Sequence, residues 1–164
     1  MKDEVKNSKA VETVPLIKEV LLNAPIVKVW KAITDKDQMK QWYFDITEFK
    51  PEAGFEFQFY AGDEKKQWLH LCKITEVVAG KKLSYSWRYD GYAGISYVTF
   101  ELFPAYPGET ESQRKGNGTR LKLTHTGLES FPGDVPELKR ENFVEGWNQI
   151  IGTSLKEFVE SMKV

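Results

Sequence analysis

Near the C-terminus, Phe143, Val144, Trp147, Ile150, Ile151, Leu155, Phe158, Val159 and Met162 recur at helical spacing, and this apolar face follows a series of segments in which apolar and polar residues alternate. A chain built this way has few ways to bury both patterns. The alternating segments must form a sheet with one apolar face, and the long helix must lie on that face.

The rest of the chain fits that frame. Residues 13–22 (TVPLIKEVLL) are rich in β-branched and aliphatic side chains and stop at Asn23-Ala24-Pro25, which predicts a first strand closed by a turn. Two short helices are expected next. In PIVKVWKAIT, Ile26, Val29, Trp30 and Ile33 keep helical spacing, and DKDQMKQW opens on Asp35, a suitable N-cap. The period then changes to two: Phe55, Phe57 and Phe59 alternate with Glu56, Gln58 and Tyr60. Residues 67–78, 82–89, 95–103 and 119–126 read as four further strands. The polar, glycine-rich segment PAYPGETESQRKGNG before the last of them is expected to be an exposed, mobile hairpin connection, with the charge run 109–115 a solvated loop.

For the terminal helix the sequence predicts a span of about 135–162, with Asp134 as its cap, Glu137 in the capping-box position and Pro136 in the first turn. At 1.5 Å per residue it would be roughly 40 Å long. Gly146 and Gly152 interrupt it, each costing about 1 kcal/mol relative to alanine. Gly146 is expected to let the helix edge approach a strand or a pocket closely; no role for Gly152 follows from the pattern.

These elements predict an α+β helix-grip fold, a curved antiparallel sheet wrapped around a long C-terminal helix, with two short helices after the first strand. Such a helix need not fill the space beneath it, and the gap is a natural ligand cavity. One domain is expected over residues 13–164, preceded by a flexible polar tail over 1–12. The 41% hydrophobic and 13% aromatic content argues for a packed core. The formal net charge of −1 gives no basic field for nucleic acid. The N-terminus has acidic residues where a signal peptide needs basic ones, and no apolar run approaches the roughly 20 residues that span a bilayer. The single Cys72 sits in an apolar strand and reads as a buried, reduced thiol. A soluble cytoplasmic protein is expected.

Four segments carry a family resemblance. VWKAITDKDQMKQWY resembles the early helix signature of the START-like, Bet v 1-like (SRPBCC) superfamily, in the branch similar to the C-terminal domain of the activator of Hsp90 ATPase (AHSA1-like). ITEVVAGKKLSYSW is similar to that branch's strand-turn-strand pattern, GTRLKLTHTGLES to its last strand, and EGWNQIIGTSLKEF to its terminal helix with a Gly-Trp pair. The chain departs from the pattern at Lys36, at Ala79-Gly80, and at Cys72, whose side chain could narrow the cavity. The resemblance implies a hydrophobic pocket, but its members include lipid carriers, hormone receptors, polyketide cyclases and chaperone activators, and fold does not choose among them. The Hsp90 activator proper uses a further N-terminal domain, which twelve polar residues would not replace, so a chaperone partner is the lesser expectation.

The candidate ligand-lining residues are Trp42, Tyr43, Phe57, His70, Trp87, Phe100, His125, Trp147 and Ser154. The aromatic rings offer apolar area with a polar handle, though core packing explains them as well. His125 shares strand parity with Leu121 and Leu123, and His70 with Trp68, Cys72 and Ile74, so either could face the cavity, a structural or hydrogen-bonding role being the plainer reading of both. Without Cys, Asp or Glu at ligand spacing they do not make a metal site, and no metal or cofactor is expected. On a helical wheel Ser154 falls beside Phe143, Trp147 and Ile150, where a small hydroxyl would leave room in a cavity; alternatively it bonds its own i−4 carbonyl. Glu76 is either a general base near His70 or a strand-end partner for a lysine or arginine, the second being the plainer reading. No G-x-S-x-G elbow, phosphate loop or H-E-x-x-H occurs, so no catalytic residue is assigned. The sequence thus predicts a binding module for a small apolar or amphipathic molecule. A cyclase- or dehydratase-type enzyme using His70, His125 or Glu76, and a chaperone-interaction domain, are the alternatives.

Overall fold

A computed structural model describes residues 14–105 and 118–161. The expected N-terminal tail, most of the glycine-rich connection and Met162 lie outside the described residues. Six strands form one antiparallel sheet in the order β1-β6-β5-β4-β3-β2. They are β1 (Leu16–Leu22), β2 (Glu56–Gly62), β3 (Gln67–Val78), β4 (Lys82–Tyr89), β5 (Ser96–Pro104) and β6 (Thr119–Thr126). The bounds of β3, β4 and β6 are those the alternation predicts.

Period-two patterning decides which face is buried. Phe57 and Phe59 on β2, Cys72 and Ile74 on β3, Tyr85 and Trp87 on β4, Val98 and Phe100 on β5, and Leu121 and Leu123 on β6 are all buried, while their strand neighbours turn to the other face, where most are exposed or half buried and Ser84 and Ser86 of β4 are buried as well. Register places these residues in rows across the sheet: Phe57 is opposite Cys72, which is opposite Trp87, and Phe100 is opposite Leu123. A bulge in β3 between Ile74 and Glu76 shifts the pairing to β4 by one residue.

Helices α1 (Ile26–Thr34) and α2 (Lys36–Trp42) follow β1. Asp35 separates them in an extended conformation, and its carboxylate accepts from the Asp37 N–H at 2.9 Å, the N-cap that the sequence predicts. The buried Trp42 donates its indole N–H to the Ala32 carbonyl at 2.9 Å, so its polar handle locks α2 against α1.

The terminal helix differs from expectation in two ways. It does not start at Val135: a short 3-10 turn, Pro136–Leu138, is followed by Lys139 in extended conformation, and only then does α3 (Arg140–Gln149) begin. Neither start has a side-chain cap, so Asp134 and Glu137 do not form the predicted capping box. Long-range ties hold the entry instead. The Arg140 guanidinium donates to the Val14 and Pro15 carbonyls, and Asn142 donates to the Pro136 carbonyl at 2.7 Å.

The second difference is a π-helical stretch, Ile150–Leu155, between α3 and α4 (Lys156–Ser161). The buried positions Phe143, Trp147, Ile151, Leu155 and Val159 are each four apart. In an ideal α-helix every step of four overshoots a full turn by about 40°, which over four steps would carry Val159 most of the way to the opposite side from Phe143. The slower winding of a π turn returns the stripe to the sheet. Ser154, which a uniform wheel groups with Trp147, is consequently only half buried. Gly152 is exposed and a β-carbon there would meet nothing, so no packing demand explains it.

Candidate functional site

Between α3 and the β2–β4 part of the sheet lies a cavity of about 310 Å³. Trp68 and His70 reach it from β3, Trp87 and Tyr89 from β4, Phe143 and Trp147 from α3, and Phe44 from the segment after α2. Glu137, Leu138 and Asn142 complete one side, with the exposed Glu137 and Asn142 at its rim. Gly146 also lines it, and a β-carbon built there meets no atom within 4 Å. Close helix-sheet approach therefore does not require this glycine; its missing side chain leaves the cavity open.

Of the nine residues that the sequence nominates, His70, Trp87 and Trp147 line this cavity. Trp42, Tyr43, Phe57, Phe100, His125 and Ser154 do not, and neither does Cys72. Tyr43 is instead bonded through its hydroxyl to the Tyr85 hydroxyl at 2.6 Å. Burial raises both phenols well above their ordinary range for ionisation; the nearby Tyr85 adds to the effect on Tyr43, whereas the bond to Tyr43 partly offsets it on Tyr85. Cys72 is buried, which pushes its thiol up and makes it a poor nucleophile.

The two histidines have different jobs. His125 is fully buried behind the cavity wall. The Trp147 indole N–H donates to its Nδ1 at 3.0 Å, and since an indole can only donate, Nδ1 carries the lone pair. The proton is therefore on Nε2, which donates to Ser96 Oγ at 2.7 Å, and Ser96 donates in turn to the Trp87 carbonyl at 3.1 Å. This chain of bonds ties α3 to β6, β5 and β4 and fixes the ring of Trp147 in the cavity wall. Burial lowers the His125 pKa to about 3, so the ring is neutral.

His70 is part of the wall itself. Its Nδ1 lies 2.9 Å from the Trp68 carbonyl, which can only accept, so the proton sits on Nδ1 and the lone pair on Nε2. Its ring stacks on Phe59 at 4.5 Å and meets Trp87 and Tyr89 edge-on at 4.9 and 4.7 Å. Burial lowers its pKa to about 4, against the opposing pull of the Trp68 and Phe59 carbonyls. Next to it, the buried Trp87 Nε1 has no hydrogen-bond partner among the described residues. The Tyr89 phenol, raised by burial, feels this N–H as a partly offsetting influence.

Among the described residues no hydrogen bond or ion pair joins either histidine to a carboxylate. Glu76 pairs with Lys82 at 2.9 Å near the far end of β3, as the plainer reading has it. No group of three or more His, Cys, Asp or Glu is arranged to hold a metal among the described residues. A larger recess of about 880 Å³ is lined by residues of the same strands, among them the outward Gln58, Tyr60, Leu71 and Arg88 and the inward Phe57 and Cys72. It contains opposed charges, Glu56 facing Lys73 in register, but neither histidine. No described helix is long and apolar enough to cross a membrane.

Sequence reasoning missed Phe44, Trp68, Tyr89, Phe143 and Glu137 as cavity residues. Trp68 and Tyr89 carried a usable signal, since each lies two positions from a nominated inward residue on the same strand. Phe44 carried none, because it sits in irregular chain.

The model of the family described as Activator of Hsp90 ATPase homolog 1-like protein matches residues 23–160. Among curated proteins, none matches the sequence. Solved structures of similar fold include protein CV1439 from Chromobacterium violaceum, 22% identical, with a TM-score of 0.70 over 90% of this chain and 98% of that one. Mll3558 from Rhizobium loti is 19% identical, with a TM-score of 0.72 over 88% and 96%. DynU16, a protein of the dynemicin biosynthetic locus, is 20% identical with a TM-score of 0.68; the match covers 90% of this chain but 47% of DynU16. At these identities the structures establish the fold, and the helix-grip sheet together with the family match over most of the sequence establishes that the chain belongs to the AHSA1-like family of the SRPBCC superfamily.

Proposed function

We propose that this chain is a binding protein for a small apolar or amphipathic molecule, held under α3 without covalent chemistry. The observation that carries this reading is the cavity of about 310 Å³ walled by tryptophan, tyrosine and phenylalanine rings from two strands and a helix. The Trp87 N–H, which has the Tyr89 hydroxyl near it but makes no full hydrogen bond among the described residues, and the His70 Nε2 lone pair would be the few polar handles that orient a ligand. Leaving a buried donor unsatisfied costs about 1–3 kcal/mol, which a ligand acceptor or a water would recover. An enzyme of cyclase or dehydratase type would need an acid–base pair, and the neutral, separately bonded histidines offer it no support.

Gly146→Leu tests the site. The added side chain should occupy the cavity, remove binding of 4-tert-butylphenol measured by calorimetry, and raise stability by about 1 kcal/mol because glycine is a poor helix residue. Undiminished binding by a folded variant would place the ligand elsewhere.

A further inference from the structure

Apart from the Trp87 N–H donor, the cavity lining presents negative potential. Its walls are the rings of Phe44, Trp68, Trp87, Tyr89, Phe143 and Trp147, whose faces carry partial negative charge. His70 adds no positive charge, because it is buried and neutral with its lone pair at Nε2. The only formally charged side chain in the described lining is a carboxylate, Glu137, at the rim. Lys66 already uses the same kind of surface from outside the lining: its ammonium stands 3.9 Å from the centroid of the Trp68 ring and donates to the Tyr92 hydroxyl.

We infer that the ligand of this cavity is an organic ammonium cation with an apolar body, its charge lodged among the rings and facing Glu137. The inference rests on the reading of the cavity as a ligand site, and it adds the sign of the charge. Aromatic faces attract a desolvated ammonium, most strongly when it is alkylated and so weakly hydrated. Glu137 supplies long-range attraction at the mouth, where a neutral ligand gains nothing from it.

The test is a matched pair of probes of nearly the same shape, (4-hydroxyphenyl)trimethylammonium and 4-tert-butylphenol, titrated calorimetrically into the wild-type protein and into Glu137→Gln. The cation should bind roughly tenfold more tightly than the neutral probe. Glu137→Gln, at an exposed position, should weaken the cation a few-fold and leave the neutral probe unchanged. Equal affinities, or a preference for the neutral probe, would overturn the cation inference and leave the cavity reading intact. Failure of both probes to bind would overturn both. A Glu137→Gln effect equal on the two probes would remove the carboxylate from the account.

Discussion

Acid should unfold this protein earlier than a comparable domain without buried histidines, by an amount that follows from His70 and His125. Both are neutral in the fold, with pKa values lowered to about 4 and about 3 from an ordinary value of 6.5. Well above pH 6.5, from about pH 7.5, neither the folded nor the unfolded chain holds a proton at these sites, and their contribution to stability is constant. Below it the unfolded chain binds protons that the folded chain refuses, so stability falls as pH falls. Each histidine contributes a slope approaching 1.4 kcal/mol per pH unit until its folded pKa is reached. Between about pH 6.5 and about pH 4.5 the pair should remove about 5 kcal/mol, comparable to the whole stability of a marginal domain. Urea unfolding at a series of pH values measures this directly. His125→Gln, whose amide can still accept from Trp147 and donate to Ser96, should roughly halve the slope. Stability that stays level across this window, or a slope unaltered by His125→Gln, would refute the reasoning that burial keeps these rings neutral.

Trp147→Phe should cost about 1–3 kcal/mol in urea unfolding beyond its packing loss, since it leaves the buried His125 Nδ1 without its donor. Gly94→Ala should cost about 2 kcal/mol or more: Gly94 has φ 102°, and an added β-carbon would lie 2.5 Å from the Ser130 carbonyl oxygen. Gly80→Ala, with φ 73° but open surroundings, should cost less, about 1–2 kcal/mol for the left-handed backbone alone.

The sheet was legible because alternation is local: strands such as β3, β4 and β6 announce their own length. The terminal helix was legible as apolar spacing, but its start was not. The Arg140 bonds to Val14 and Pro15 are contacts across the whole sequence, and they override the local signal of Asp134 and Glu137. The spacing of four from Phe143 to Val159 did encode the π turn, yet Val144, Ile150 and Phe158 blur it by adding apolar residues on the flanks. That blur is why Ser154 looked central. Strand parity correctly turned His70 and His125 inward but said nothing of depth. His125 faces Leu16 across β1 and is covered by Trp147, whereas His70 pairs with Phe59 on the edge strand β2, beside the cavity. Only register and the path of α3 separate a wall residue from one behind the wall.

The central claim is that ligands enter the cavity beneath α3, and the chain's five tryptophans make it directly measurable. Trp68, Trp87 and Trp147 line the cavity, whereas Trp30 and Trp42 do not. In 15N-labelled protein titrated with 4-tert-butylphenol, the indole N–H resonances of Trp68, Trp87 and Trp147 should shift together and saturate at one affinity, while those of Trp30 and Trp42 stay in place. Saturable movement of Trp30 or Trp42 with the other three unmoved would contradict the account.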